Sequence, residues 1–100
     1  MESTTFEKTM DSFESDLIEQ DFIKTLCNGV PEYIIDHDSD HNGPFAWIEF
    51  KNVRNEAIIE LEKDYDIFAM PFELWANKNE LISPEILGGE NNCILFKVYF

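Results

Sequence analysis

Four oxygen-bearing side chains in the middle of the chain have the spacing of a calcium-binding loop. The segment Asp38-Ser-Asp40-His-Asn42-Gly43 is followed after five residues by Glu49. Carboxylate and amide oxygens are the ligands that Ca²⁺ prefers, the glycine makes the sharp turn, and a final glutamate can bind the ion with both oxygens. The pattern therefore makes Asp38, Asp40, Asn42 and Glu49 a candidate calcium site.

The 12 residues from Asp38 to Glu49 resemble the loop of an EF-hand. That resemblance implies a helix on each side of the loop and the carbonyl oxygen of Pro44 as a further ligand. The flanking residues favour strands instead, because Trp47 to Val53 is rich in aromatic and β-branched residues. The alternative interpretation is a hairpin loop in which Asp, Asn and Gly serve the turn, with no metal or cofactor.

A second acidic pattern runs from Ala57 to Ile67. Apolar side chains alternate there with acidic ones, which is the period of a half-buried β-strand, although Ile58 and Lys63 break the alternation. The acidic residues are Glu60, Glu62, Asp64 and Asp66. On a strand their carboxylates would lie on one exposed face, about 6.6 Å apart. Such a row predicts either a positively charged partner or simple solubility.

The charge of the whole chain favours the first of these explanations. The formal net charge is −14 and the isoelectric point is near 4.2. Nucleic acids and anionic membranes are themselves polyanions, so direct binding to either is not expected, and a basic protein is the expected partner. The candidate contact residues are the carboxylates of Glu60, Glu62, Asp64 and Asp66, those of Asp36, Asp38 and Asp40, and the ring of Trp75.

Catalytic chemistry has little support in the sequence. The two histidines, His37 and His41, lie in one polar segment, so no serine or cysteine has an identifiable base partner elsewhere. The histidines are four positions apart, which suits a metal only on a helix, and the surrounding Asp, Ser, Asn and Gly residues disfavour a helix. Glycine-rich phosphate loops are also missing from the sequence. We therefore expect a protein that is not an enzyme.

The cellular setting is predicted from what the sequence lacks. The first residues carry neither a basic nor an apolar signal region, and no apolar run reaches the roughly 18 residues that span a bilayer. We therefore expect a cytoplasmic protein. Since disulfides are rare in the cytosol, Cys27 and Cys93 are expected to be reduced.

The N-terminal quarter of the chain has a helical pattern. Thr4 to Glu7 forms a capping box, and apolar residues follow at spacings of three and four as far as Leu26. The phase of this pattern changes near Ser15-Asp16. Either two short helices meet there, or one helix is buried on more than one side.

The rest of the chain is predicted to form mostly strands. The expected strands are Glu32 to Ile35, Phe45 to Lys51, Ala57 to Ile67, a segment ending near Pro71, and Cys93 to Phe100. The second and third would form a central hairpin. Ser83-Pro84-Glu85 predicts the start of a short helix ended by Gly88-Gly89. The expected fold is a single α+β domain of 100 residues, with an N-terminal helical segment packed on an antiparallel β-sheet.

In its size, its charge and its mixed α/β pattern, the chain resembles bacterial toxin immunity proteins, including those of contact-dependent growth inhibition. This resemblance implies a small cytoplasmic inhibitor that covers the basic site of a nuclease toxin. One alternative is a phage-type DNA mimic, which would block a restriction or CRISPR effector with the same carboxylates. The other is a calcium-responsive module built on Asp38 to Glu49.

Overall fold

The computed structural model describes residues 10–88 and 91–100. The elements are, in order, a 3-10 helix (Met10–Ser12), α1 (Glu14–Ile18), α2 (Asp21–Lys24), β1 (Tyr33–Asp40), β2 (Gly43–Phe50), α3 (Asn55–Lys63), α4 (Asp66–Lys78), β3 (Ile82–Gly88) and β4 (Ile94–Tyr99). The four strands form one antiparallel sheet in the order β1-β2-β4-β3. The predicted α+β class is confirmed. The capping box at Thr4 to Glu7 lies outside the described residues.

One face of the sheet is buried under the helices. The buried side chains alternate along the two central strands and are Ala46, Ile48 and Phe50 on β2 with Ile94, Phe96 and Val98 on β4. The centre of the core is aromatic, because the ring of Phe96 lies 4.7 Å from that of Phe72 on α4 and 5.4 Å from that of Phe50. Edge-to-face packing of this kind stabilises the core beyond the burial of area alone.

The N-terminal region forms two short helices, which was one of the two alternatives. The break lies at Glu19 and Gln20, not at Ser15-Asp16, which are inside α1. Gln20 has an extended backbone with ψ of 140°, so α2 begins in a new direction. This turn allows Leu17 on α1 and Ile23 on α2 to be fully buried in the same core.

The strand predicted over Ala57 to Ile67 was wrong, because most of this segment is helical. It contains α3 and the first residues of α4. Ala57 is buried and Ile58 and Leu61 pack against the core, a spacing that matches a helix face. Ala, Glu, Leu and Lys are also strong helix formers. The central hairpin was wrong for the same reason, since β2 pairs with β1 and β4.

The strand predicted to end near Pro71 is also a helix. Pro71 lies inside α4, where it removes one backbone hydrogen bond at a cost of about 3 kcal/mol. The helix forms because it buries Phe68, Phe72, Trp75 and Ala76 along one face. Burying several large apolar side chains at about 1.5–3 kcal/mol each exceeds the cost of the proline.

The helix predicted from Ser83-Pro84-Glu85 is the edge strand β3. Ser83 has a φ of 51°, and the register of β3 against β4 shifts between Ile82 and Glu85. A bulge on an edge strand accommodates Pro84, which has no N–H to donate. The predicted closing strand is confirmed as β4, although it lies in the middle of the sheet and not at an edge.

The polar segment from Asp36 to Gly43 was expected to be a loop, but its residues 36–40 are part of β1. The turn consists of His41 and Asn42 alone, with Asp40 paired to Gly43. The Asn42 N–H donates to the Asp40 carboxylate at 2.8 Å, and Gly43 has a φ of 114° that favours glycine. Asp and Asn therefore form the turn as predicted, but the turn is much shorter than expected.

Trp75 was expected at an interface and lies in the core, with only 4% of its surface exposed. Its ring stacks on Phe72 at 6.0 Å and meets the edge of Phe13 at 6.2 Å. The indole N–H donates to the carboxylate of Asp16 at 2.6 Å. A single hydrogen bond from α4 to α1 therefore satisfies the polar group of a buried tryptophan.

We expect Trp75→Phe to lower the free energy of unfolding by more than about 1.5 kcal/mol, because a hydrogen bond to a charged group is lost and the smaller ring leaves part of the core unfilled. Asp16→Ala should cost about 1.5 kcal/mol through the lost hydrogen bond alone, and the double variant should cost less than the sum of the two single changes. Urea denaturation measures all three. Asp11→Ala, which removes an exposed carboxylate nearby in the chain, is the control. Fully additive losses would contradict a direct Trp75–Asp16 interaction.

The hydroxyl of Tyr33 on β1 donates to the carboxylate of Glu14 on α1. This hydrogen bond is the main cause that raises the pKa of Tyr33 from 10.0 to about 12, with burial and the charge of Glu14 adding to it. A raised pKa means that the folded state favours the neutral phenol. The stabilisation is therefore complete below pH 10.0 and is lost as the pH rises toward about 12.

We accordingly expect the stability difference between the wild type and Tyr33→Phe to shrink as the pH rises from 10.0 to about 12. Urea denaturation of both proteins across this range measures the difference, and comparing the two proteins cancels the titration of other groups. A difference that stays constant with pH would show that the Tyr33 hydroxyl titrates alike in the folded and unfolded states.

Both cysteines are free thiols, as expected. Cys27 is buried where the segment before β1 meets Val53, and burial raises the pKa of its thiol to about 11. A neutral buried thiol acts as a small apolar side chain and is a poor nucleophile.

Candidate protein-binding surface

The helices within residues 10–88 and 91–100 cover one face of the sheet and leave the second face open. Successive side chains on a strand point to opposite faces, so the residues between the buried ones of β2 and β4 lie on this side. They form what we call the open sheet face: Ile34, Asp36, Asp38 and Asp40 on β1, Phe45, Trp47 and Glu49 on β2, Leu95, Lys97 and Tyr99 on β4, and Glu85 and Leu87 on β3. Three of its large apolar side chains, Ile34, Trp47 and Leu87, are exposed by 37–46%.

A row of three carboxylates forms one margin of the open sheet face. Asp36, Asp38 and Asp40 alternate along the edge strand β1, so their side chains share one face about 6.6 Å apart. All three are exposed. We call them the β1 carboxylates. They are the acidic row of like charges that the sequence led us to expect on a different segment.

The β1 carboxylates differ in how they are held. Asp40 accepts hydrogen bonds from the Tyr99 hydroxyl at 2.8 Å and from the Asn42 N–H, and these lower the pKa of its carboxyl group. Asp38 accepts from the N–H of Ser39 at 2.8 Å. Within residues 10–88 and 91–100, Asp36 makes no hydrogen bond or salt bridge. The row is therefore anchored at the turn and leaves Asp36 available to a partner.

Next to the carboxylates lies a group of aromatic rings, of which that of Trp47 is exposed and those of Phe45 and Tyr99 are half-buried. Phe45 meets Trp47 edge-on at 6.4 Å and Tyr99 at 5.4 Å. Asp36 lies directly opposite Trp47 in the β1–β2 ladder, and Asp38 lies opposite Phe45. Directly opposed side chains share a face and are close enough to interact. Carboxylates and aromatic rings are thus side by side, an arrangement that suits a cationic group able to contact both.

The protein already places one cation of its own on these rings. The ammonium of Lys97 lies 4.4 Å from the centre of the Phe45 ring and 5.0 Å from that of Tyr99. Its interaction with the Tyr99 hydroxyl is the main cause that raises the pKa of Lys97, so the side chain stays charged. This contact is a direct example of the cation–π chemistry that the open sheet face offers.

The four carboxylates predicted on the supposed strand are not brought together. Glu60 forms a salt bridge with Arg54 at 3.9 Å, and Glu62 lies about 200° around α3 from it, at about 100° per residue. Asp64 ends α3, and its carboxylate accepts the N–H of Asp66 at 3.2 Å. All four are exposed, but they belong to the helical layer and not to the open sheet face.

The candidate calcium ligands are separated by the hairpin. Glu49 pairs with Ile34 at the far end of β2, six residues and about 20 Å from Gly43. The carboxylate of Asp40 is occupied by Tyr99 and Asn42. Over residues 10–88 and 91–100, no three His, Cys, Asp or Glu side chains cluster as metal ligands. The loop geometry that the EF-hand resemblance implied was therefore wrong.

The two histidines also lie apart. His37 is on β1, where its Nε2 accepts the N–H of Met10 at 2.9 Å and its ring stacks on Phe100 at 6.3 Å. His41 is in the turn, four residues further on. A separation of four residues on an extended chain is about 13 Å, too far for two ligands of one ion.

A small cavity lies between α4 and β3, with a volume of about 150 Å³. Its lining includes Tyr65, Met70 and the carboxylates of Asp66, Glu73 and Glu85. Sites that enclose organic ligands usually have about 300–1,000 Å³, so this cavity is small for such a ligand. It does not adjoin the β1 carboxylates.

Sequence reasoning did not identify Phe45, Lys97 and Tyr99 as residues of the open sheet face. A signal was present, since aromatic or polar residues alternate with aliphatic ones along Phe45 to Glu49, and Lys97 and Tyr99 flank Val98. The strand predicted over Ala57 to Ile67 would also place Tyr65 on its inward face, whereas the Tyr65 side chain is 47% exposed. The side chains of β1, β2 and β4 meet only because the strand order places β4 beside β2.

In the part of the chain that the structure describes, no helix has the length and apolar character needed to cross a bilayer. Comparisons of the chain with protein-family models, with curated proteins and with solved structures find no match in any of the three.

Proposed function

We propose that this protein is a small acidic inhibitor that binds a basic protein through its open sheet face. The observation that carries the proposal is that the β1 carboxylates lie beside the exposed ring of Trp47 and the half-buried rings of Phe45 and Tyr99. Charge gives a protein interface its orientation and its association rate, whereas aromatic side chains supply much of its binding energy. On the open sheet face, charged and aromatic side chains lie side by side.

The net charge of −14 supports a basic partner. A strongly negative protein attracts a positively charged one over about 10 Å at ordinary salt and repels nucleic acid and anionic lipid. The partner most consistent with this chemistry is a nuclease domain, because a surface that binds phosphates is itself rich in Lys and Arg. The proposed function is therefore that of a cytoplasmic immunity protein, or antitoxin, which neutralises a nuclease toxin.

A second candidate function is that of a DNA mimic which blocks a restriction or CRISPR effector. The observation that favours it is the even spacing of the β1 carboxylates along one exposed margin. We rank it second because a mimic of phosphates has no need of an exposed aromatic group, whereas Trp47 is 37% exposed at the centre of the same face.

A pull-down with three baits tests the proposal. The baits are the wild type, a triple Asp36→Lys, Asp38→Lys, Asp40→Lys variant, and a triple Glu60→Lys, Glu62→Lys, Asp64→Lys variant with the same change in net charge. The proposal expects a basic protein that is retained by the wild type and by the helix variant, lost from the β1 variant, and released at moderate salt. A secreted toxin would support immunity, and a nucleic-acid effector would support mimicry. Equal retention by all three baits would contradict a role for the open sheet face.

A further inference from the structure

The two edges of the sheet differ in how their backbone groups are used. On the β3 edge, the hydroxyl of Tyr65 accepts the N–H of Ile86 at 3.1 Å and contacts its carbonyl oxygen at 3.4 Å. Pro84 has no N–H, and the register shift between Ile82 and Glu85 interrupts the strand. Bulges, prolines and covering side chains are the devices that prevent an edge from pairing with another chain. The β3 edge is therefore protected.

On the outer edge of β1, alternate residues direct their backbone N–H and C=O groups away from the sheet. The Lys51 N–H donates to the carbonyl of Glu32 at 2.8 Å, which sets the alternation of the ladder: even-numbered residues of β1 direct their backbone groups toward β2. The odd-numbered residues Tyr33, Ile35, His37 and Ser39 direct theirs outward. The Ser39 N–H is taken by the carboxylate of Asp38. Among residues 10–88 and 91–100, no strand pairs with this side of β1.

We propose that the outer edge of β1 receives an extended segment of the basic partner as a fifth strand, with lysine or arginine at alternate positions. This inference rests on the proposed function and specifies how the partner docks. In such a pair, the residues facing Asp36, Asp38 and Asp40 lie on the open sheet face, where opposite charges across strands stabilise pairing. Backbone hydrogen bonds at Ile35 and His37 would give affinity, and the carboxylates would give register and specificity.

A second copy of this chain does not fit the same edge. Antiparallel pairing of β1 with itself would place the β1 carboxylates of the two copies against each other. Like charges in directly opposed positions destabilise a sheet. The acidic row therefore selects a basic strand and rejects self-association at the same edge.

The alternation of the ladder makes a sharp test possible with synthetic peptides. The probe is a capped eight-residue peptide in which lysine and valine alternate. Lysines opposite the carboxylates occupy the positions where the peptide's own N–H groups point away from β1, whereas the valine N–H groups point toward it. N-methylation of the lysine amides should therefore be tolerated, and N-methylation of the valine amides should not. The two methylated peptides have identical charge and composition.

We expect the parent and lysine-methylated peptides to bind the full-length protein with similar affinity, and the valine-methylated peptide to bind at least tenfold more weakly. Binding is followed by NMR of the isotope-labelled protein, in which amide exchange at Ile35 and His37 should slow with the first two peptides only. Three results would overturn the proposal: no binding of the parent peptide, equal binding of both methylated peptides, or amides at Ile35 and His37 that are already protected without peptide.

These outcomes are separable from those of the proposed function. Suppose that the peptides bind regardless of which amides are methylated, while the β1 variant still loses its basic partner in the pull-down. The open sheet face then binds by charge, and the proposed pairing at the β1 edge is wrong. If the β1 variant keeps its partner, the proposed function itself is wrong, whatever the peptides show.

Discussion

Replacing Asp36, Asp38 and Asp40 with lysine is expected to weaken binding of the basic partner by at least about a hundredfold, since truncating or reversing close interfacial charges costs roughly 2–5 kcal/mol. The change turns an attractive margin of the open sheet face into a repulsive one. The three residues are exposed, and the hydrogen bonds that Asp40 accepts from Tyr99 and Asn42 lie at the surface of the hairpin turn, so the fold should be retained with a modest loss of stability. Isothermal titration calorimetry against the purified partner measures the effect, and circular dichroism checks the fold.

The matched control is the triple lysine variant at Glu60, Glu62 and Asp64, which alters the net charge by the same amount on the helical layer. It should lower affinity by no more than about threefold near 0.15 M salt, where the Debye length is about 8 Å and distant charges are screened. At lower salt the control should weaken binding further, because long-range steering depends on the net charge. Equal losses for the two variants would show that total charge, and not the open sheet face, determines binding.

Phe96→Ala is expected to lower the free energy of unfolding by about 3–5 kcal/mol, the usual cost of removing a fully buried phenylalanine. The ring of Phe96 is fully buried and contacts the rings of Phe72, Phe50 and Phe22 at 4.7, 5.4 and 6.4 Å. It joins the central strand β4 to helices α2 and α4. A domain of this size typically has only about 5–15 kcal/mol of stability, so this variant should lie close to unfolding.

Urea denaturation of Phe96→Ala and of Leu87→Ala measures the contrast between the two faces of the sheet. Leu87 is 41% exposed on the open sheet face, so its removal should cost less than about 1 kcal/mol. Combining Phe96→Ala with Phe72→Ala should cost less than the sum of the single changes, because the two rings share one contact. Similar losses at Phe96 and Leu87 would contradict the assignment of the buried face.

Loss of the binding surface and loss of the folded core are distinguishable by one further measurement. A variant of the β1 carboxylates should bind weakly while folding normally, whereas Phe96→Ala should lose binding only to the extent that it unfolds. Lowering the temperature or adding a stabilising osmolyte should therefore restore binding to Phe96→Ala and not to the β1 variant. This contrast separates a binding surface from the core that supports it.

Local sequence patterns predicted some of the elements of this fold. The strands near Phe45 to Lys51 and Cys93 to Phe100 were recognised from β-branched and aromatic residues, and the structure has strands at Gly43–Phe50 and Ile94–Tyr99. The helical N-terminal region and the α+β class also followed from composition and spacing. In these segments local propensity and tertiary packing favour the same structure.

Ala57 to Ile67 shows why other elements could not be predicted. Alternating apolar and acidic residues fit a strand, and Ala57, Ile58 and Leu61 also fit a helix face. The choice depends on which side chains can reach the core, and α3 packs Ala57, Ile58 and Leu61 against it. The error at Ser83-Pro84 was the reverse, since a predicted helix start is a strand. Pairing of β3 with β4 outweighs the local helix signal there.

The sequence by itself determined the net charge of −14, from which we predict a basic partner, and the mixed class of the fold. It also contained Asp36, Asp38 and Asp40 at alternate positions, which form a row only if that segment is extended. The tertiary structure decided that it is extended. Strand order then placed the carboxylates beside rings from β2 and from β4, so that Tyr99 on β4 contacts Asp40, some 60 residues earlier in the chain. Surface chemistry of this kind depends on long-range pairing, which no local pattern of residues encodes.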